Sequence, residues 1–127
     1  MQTPLKLELP KIVESYFEAL NAQRFQQAAD LFIESGALVS PLGKQIRGRT
    51  EIARYLSEQC NGMTSYPEVV QPSVKEAVVI SGQVHCLAFK VNIQWSFYFR
   101  HEALAVVKVQ LLTKLSQLSH LQNSNYA

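Results

Sequence analysis

The sequence predicts a single α+β domain, with helices packed on one face of a curved antiparallel sheet to form a cone whose inner face is apolar. Three observations carry that prediction. Apolar residues recur at helical spacing as far as Cys60. From Tyr66 onward the period falls to two. The composition is 47% apolar and 17% charged over 127 residues, enough to build one core and too little for two comfortable ones. Residues 1–127 accordingly read as one unit, with the core over about 10–113 and a tail over 114–127.

Pro10 is placed to open the first helix, its ring presetting the backbone angle of a first turn. Beyond it Ile12, Tyr16, Ala19 and Leu20 form one stripe, flanked by Val13 and Phe17, while Glu14 and Glu18 face water. A second short helix is expected around Phe25, Ala28, Ala29 and Phe32, stopped by Gly36. Residues 37–40 then read as a short strand ended by Pro41, and Gly43 and Gly48 bracket a loop able to double back as a hairpin. Thr50 is the expected cap of a third helix that carries Ile52, Tyr55, Leu56 and Cys60 on one face. Three extended stretches follow, Val74–Phe89, Lys90–Arg100 and Leu104–Thr113, with turns near 88–90 and 101–103. In the middle one Val91, Ile93, Trp95 and Phe97 alternate with Asn92, Gln94, Ser96 and Tyr98. Leu115, Leu118 and Leu121 return to helical spacing in the tail, ahead of a polar end expected to fray.

Charge and motif content narrow the chemistry. Twelve Lys+Arg against ten Asp+Glu leave a net charge of +2, scattered without a basic run, so nucleic acid is not an expected partner. No apolar run is long enough to span a bilayer. Lys6, Glu8, Pro10 and Glu14 interrupt the region where an export signal needs an apolar stretch, so a cytoplasmic location is expected. Two cysteines, Cys60 and Cys86, make no disulfide framework. His85 and Cys86 are adjacent, hence on opposite faces of a strand, and no metal site is expected. The acids also fall badly for proton transfer. Glu14 and Glu18 sit about 200° round the helix from Tyr16, Asp30 lies off the apolar stripe, and Glu102 is in a turn. With neither a phosphate-cradling glycine loop nor a nucleophile elbow, enzymatic activity is not expected.

Two polar atoms remain on the inward face: the hydroxyl of Tyr16, mid-helix, and the indole N–H of Trp95, mid-strand. Residue chemistry leaves two readings open. Either both donate to backbone carbonyls in an ordinary core, or both converge on one ligand carbonyl, whose oxygen has two lone pairs.

A family resemblance bears on that choice. Tyr16–Ala22 and then Leu31–Leu38 resemble the nuclear transport factor 2-like fold and, more narrowly, the C-terminal domain of the cyanobacterial orange carotenoid protein. The likeness continues through Pro41, Ile46, Gly48, Glu58-Gln59-Cys60, Pro67 and Asn92–Phe97 to Val109–Leu112. The length leaves no room for that protein's helical N-terminal domain, so the resemblance implies a free-standing homologue of the C-terminal domain, from a family of carotenoid carriers. It further implies a ketocarotenoid of the canthaxanthin or echinenone type, with Tyr16 and Trp95 hydrogen-bonding its keto oxygen. Leu20, Met63, Ile93, Val109 and Leu111 would line the tunnel. The implied activity is that of a water-soluble carrier taking up pigment, with transient membrane contact, and passing it to or from helical carotenoid proteins and the orange carotenoid protein. Singlet-oxygen quenching would belong to the bound polyene. The sequence also departs from the family: Gln59 and Gln110 stand where that protein has acids, and residues 84–89 replace a longer loop.

An extended carotenoid is on the order of twice the roughly 14 Å radius of gyration of a domain this size. A homodimer sharing one pigment across its twofold axis would shield what one domain leaves exposed. Cys86 matches Val84 in strand parity and reads either as a small buried hydrophobe or, beside the altered loop, as a thiol meeting its twofold mate in an intermolecular disulfide. Two other functions stay open: a small isomerase, lyase or hydratase of the same fold acting on an apolar substrate, and a protein-interaction module using the sheet face.

Overall fold

The computed structural model describes residues 8–71 and 76–112. Within them the elements run α1 (Lys11–Asn21), α2 (Phe25–Ala29), β1 (Phe32–Val39), β2 (Gln45–Arg47), α3 (Arg49–Gln59), β3 (Thr64–Val70), β4 (Val78–His85), β5 (Lys90–Arg100) and β6 (Ala103–Leu111). The strands form one six-stranded sheet in the order β2-β1-β6-β5-β4-β3. Val74, Thr113 and the tail with Leu115, Leu118 and Leu121 lie outside the described residues.

The first helix starts where Pro10 permits: its carbonyl accepts the N–H groups of Val13 and Glu14, both at 3.0 Å. The stripe it buries is Val13, Tyr16, Phe17, Ala19 and Leu20. The third helix is capped differently from expectation. Gly48 at φ 88° holds the N-cap position, its carbonyl accepting Ile52 N–H at 2.9 Å, and Thr50 lies inside the helix. That backbone angle is cheap only for glycine, so the turn out of β2 decides where the helix begins.

Phe32 is the clearest correction. It is not the end of α2 but the start of β1, where it pairs with Leu104 of β6. β1 and β6 run parallel, so the sheet is mixed rather than wholly antiparallel. A parallel pair between segments so far apart in sequence has no turn to announce it, whereas the β1–β2 hairpin, expected and found, does. β3 was hidden for a related reason. It carries Pro67, which a sheet tolerates at an edge, and β3 is an edge strand. The last correction concerns β4, which ends at His85 instead of reaching Phe89. Cys86 N–H donates to Phe89 O at 2.9 Å, closing a turn over 86–89. Strand parity therefore does not place Cys86 on the apolar face.

The packed core fills one end of the cone. Tyr16 meets Phe17, Phe32 and Phe97 edge to face at centroid separations of 5.6–6.2 Å, and Ile52, Ile80, Leu104 and Val107 are fully buried around them. At the other end β5 continues back through Trp95, Ile93 and Val91, and there the side chains border a cavity. Among the described residues no helix is long and apolar enough to cross a membrane.

Candidate functional site

The cavity has a volume of about 360 Å³. Its sheet wall follows from register. Trp95 lies opposite Val109 and Ile93 opposite Leu111, so the period-two alternation of β5 and β6 sets four side chains side by side facing inward. Val91 and Val84, another facing pair, extend the wall onto β4, and Phe89 of the following turn closes its end. Gly82 keeps β3 close. It sits opposite Pro67, and a side-chain carbon there would collide with the carbonyl oxygen of Tyr66.

Helices supply the rest. α1 contributes Tyr16 and Leu20, and α3 contributes Tyr55, Leu56, Gln59 and Cys60. Asn21, at the end of α1, clamps β3 with both halves of its amide: Nδ2 donates to Ser65 O at 2.9 Å and Oδ1 accepts Ser65 N–H at 2.7 Å. Gln23 does the same for the preceding turn, accepting Gly62 N–H at 2.8 Å and donating to Met63 O at 3.3 Å. These two residues hold Met63 and Ser65 against the cavity.

Neither the Tyr16 hydroxyl nor the Trp95 indole N–H makes a hydrogen bond to protein among the described residues. An enclosed donor without an acceptor would count as a buried unsatisfied atom, and among the described residues there is none. Both donors therefore face the cavity. Phe17 packs edge to face against both rings, at a centroid separation of 4.9 Å from Trp95 and 5.8 Å from Tyr16. Burial first, then the proximity of Cys60 and Tyr55, pushes the Tyr16 hydroxyl well above the ordinary phenol range. Burial also pushes the Cys60 thiol up to about 11. Burial and Cys60 raise Tyr55, against a smaller lowering from the Ser40 hydroxyl beside it. Every ionisable group of this cluster is thus neutral at pH 7, and the described lining includes no carboxylate and no imidazole.

The nuclear transport factor 2 (NTF2) domain profile matches residues 8–103. The chain belongs to the NTF2 domain family. Within that family it is 30% identical, over 86% of its length, to the orange carotenoid-binding protein of Limnospira maxima. The chain spans 37% of that relative, the portion being its C-terminal domain. The structure of the Anabaena (Nostoc) sp. orange carotenoid protein binding canthaxanthin superposes with a TM-score of 0.74 at 28% identity, covering 89% of this chain and 40% of that one. A polyketide cyclase-like protein of Sinorhizobium meliloti, at 18% identity and a TM-score of 0.69 over 80% of this chain and 95% of that one, shares the fold.

In this NTF2 domain all seven inward residues named from the sequence, Tyr16, Leu20, Met63, Ile93, Trp95, Val109 and Leu111, border the same cavity. Cys86 does not. It is half-buried in the β4–β5 turn, beside the fully exposed Leu87. Sequence reasoning placed Tyr55 and Cys60 on one helix face without assigning them to the lining, and missed Gln59 and Ser65. The α3 stripe that includes Tyr55 and Cys60 was visible, but periodicity does not tell a packed face from a cavity wall. Around the mouth the turn tips are apolar: Leu42 is 96% exposed, Leu87 wholly so, and Phe89 half exposed. Register puts both turns at one end of the sheet, since β1 runs parallel to β6 and β4 pairs antiparallel to β5.

Proposed function

We propose that this NTF2 domain is a water-soluble, cytoplasmic carrier that binds a ketocarotenoid of the canthaxanthin or echinenone type and exchanges it with other carotenoid proteins. One observation carries the reading: Tyr16 and Trp95, from a helix and a strand, present unpartnered donors to a single apolar cavity. A conjugated ring carbonyl can accept both, each bond contributing about 0.5–1.5 kcal/mol net. Leu20, Met63, Ile93, Val109 and Leu111 exclude water, so most of the affinity is dispersive and non-directional, at about 25 cal/mol per Å² of apolar surface. That division suits transfer, because two hydrogen bonds orient the ring without trapping it. When bound, the polyene supplies the singlet-oxygen quenching chemistry. The similarity to orange carotenoid-binding proteins supports the ligand class.

A cavity of about 360 Å³ is near the lower end of the roughly 300–1,000 Å³ typical of ligand pockets and suits one ring and the adjoining chain. The remainder would be covered by a second copy, in a homodimer sharing one pigment. The apolar rim of Leu42, Leu87 and Phe89 supports that pairing. The same rim suits transient contact with a membrane during uptake, and contact with helical carotenoid proteins or the orange carotenoid protein during exchange. In the pairing Cys86, next to this rim, forms an intermolecular disulfide under oxidising conditions. Non-reducing electrophoresis of Cys86→Ser checks it, and an unchanged dimer band counts against it. Acid–base catalysis on an apolar substrate has less support, because the described lining offers no group of the right kind.

The test of the whole reading is expression in a canthaxanthin-producing host followed by a visible spectrum of the purified protein. Coloured protein is expected, with Trp95→Phe giving a lower pigment yield or a blue-shifted band while remaining folded. Colourless native protein overturns the reading. An identical spectrum and yield in Trp95→Phe removes the anchor role.

A further inference from the structure

The donor pair leaves part of the cavity's polar equipment unused. A ring carbonyl is saturated by two donors, yet Tyr55 and Cys60 on α3 bring a second hydroxyl and a thiol to the same cavity as Tyr16. The three groups lie near enough that ionising one raises the cost of ionising another. Burial keeps the thiol protonated, so Cys60 is a weak donor and no nucleophile at neutral pH. Tyr55 is different in kind. It is only half-buried, with the Ser40 hydroxyl beside it, and its oxygen can both donate and accept. A phenylalanine would fill the same space at this position without the hydroxyl.

We propose that Tyr55 reads a second oxygen on the ligand ring, so that the preferred ligand is an α-hydroxy ketone, with a hydroxyl on the carbon next to the carbonyl held by Tyr16 and Trp95. A hydroxyl on the neighbouring ring carbon both donates and accepts, which complements a phenol and is not served by the carbonyl-directed pair. The inference rests on the ketocarotenoid reading and narrows its substrate class from ketones to hydroxy ketones.

The experiment titrates the purified chain with canthaxanthin, whose rings bear the ketone alone, and with astaxanthin, whose rings bear the ketone and the adjacent hydroxyl. Both pigments are symmetric, so either end presents the same group. Quenching of Trp95, the single tryptophan of the chain, reports occupancy independently of pigment colour. Native protein should bind astaxanthin about three- to tenfold more tightly, the effect of one further net hydrogen bond. Tyr55→Phe should bind the two pigments with equal affinity, losing the preference. Tyr16→Phe should weaken both pigments and leave their ratio unchanged. Equal binding of the two pigments by native protein overturns the inference while leaving the carrier reading in place, and so does a preference that survives in Tyr55→Phe. Binding of neither pigment overturns both.

Discussion

Cys60 shows how burial writes a pH dependence into one residue. Its thiol is held up to about 11 by desolvation, so between about pH 9 and 11 the folded chain keeps a proton that the unfolded chain releases. Stability contributed this way is complete below about pH 9 and is lost as the pH rises through that window, with Tyr16, also raised, adding to the loss. Denaturant midpoints measured at pH 7, 9 and 11 should fall at the alkaline end, and Cys60→Ala should flatten the decline. A flat profile in the native chain would contradict the burial. The same shift makes the thiolate at pH 8 only about one part in a thousand, so alkylation of Cys60 should be slow. Tyr16 and Trp95 were legible from their offsets because each is a large residue with a donor on a stripe of pure hydrocarbon. Tyr55 was not, because its stripe is shared between the packed core at Ile52 and the cavity wall at Cys60.

At the scale of elements, a few specific contacts tie the edge strand β3 to α1 and so fix the cavity wall at Ser65. Asn21 satisfies both backbone groups of Ser65, and Ser65 is buried. Asn21→Ala should cost about 1–3 kcal/mol in chemical denaturation and speed amide exchange in β3 while leaving β5 protected. Unchanged exchange at Ser65 would show that the clamp is dispensable. Gly82→Ala should be costlier than an ordinary strand substitution, at about 2 kcal/mol or more, because the new carbon meets backbone rather than a flexible side chain. Elements with local signatures were readable: α1 from its stripe and Pro10, β5 over Lys90–Arg100 from strict alternation, and the β1–β2 hairpin from its glycines. β1 was truncated in the sequence reading because its first half pairs only with β6, from the far end of the chain.

Among the described residues the two most exposed large apolar side chains, Leu42 and Leu87, share one end of the sheet. Leu42 and Leu87 at the tips of two turns stand clear of the core, and both turns border the cavity through Pro41 and Phe89. If one pigment bridges two copies, sedimentation of the loaded protein should give a dimer, and the double variant Leu42→Ser, Leu87→Ser should shift it toward monomer. A loaded monomer in the native chain would refute the shared-pigment arrangement. The double variant should also keep the Trp95 quenching that reports ring binding, since neither leucine lines the cavity.

Sequence alone determined the α+β fold class and the apolar faces of α1, α3, β5 and β6, because amphipathic periodicity is a local property that survives any arrangement of neighbours. Tertiary structure alone decided that β1 lies beside β6, that α3 begins at Gly48, that Cys86 sits in a turn, and that the inward face is packed at Phe97 and open at Trp95. Those outcomes depend on which distant surfaces meet and how much volume they leave between them, and no repeat along the chain encodes that distance.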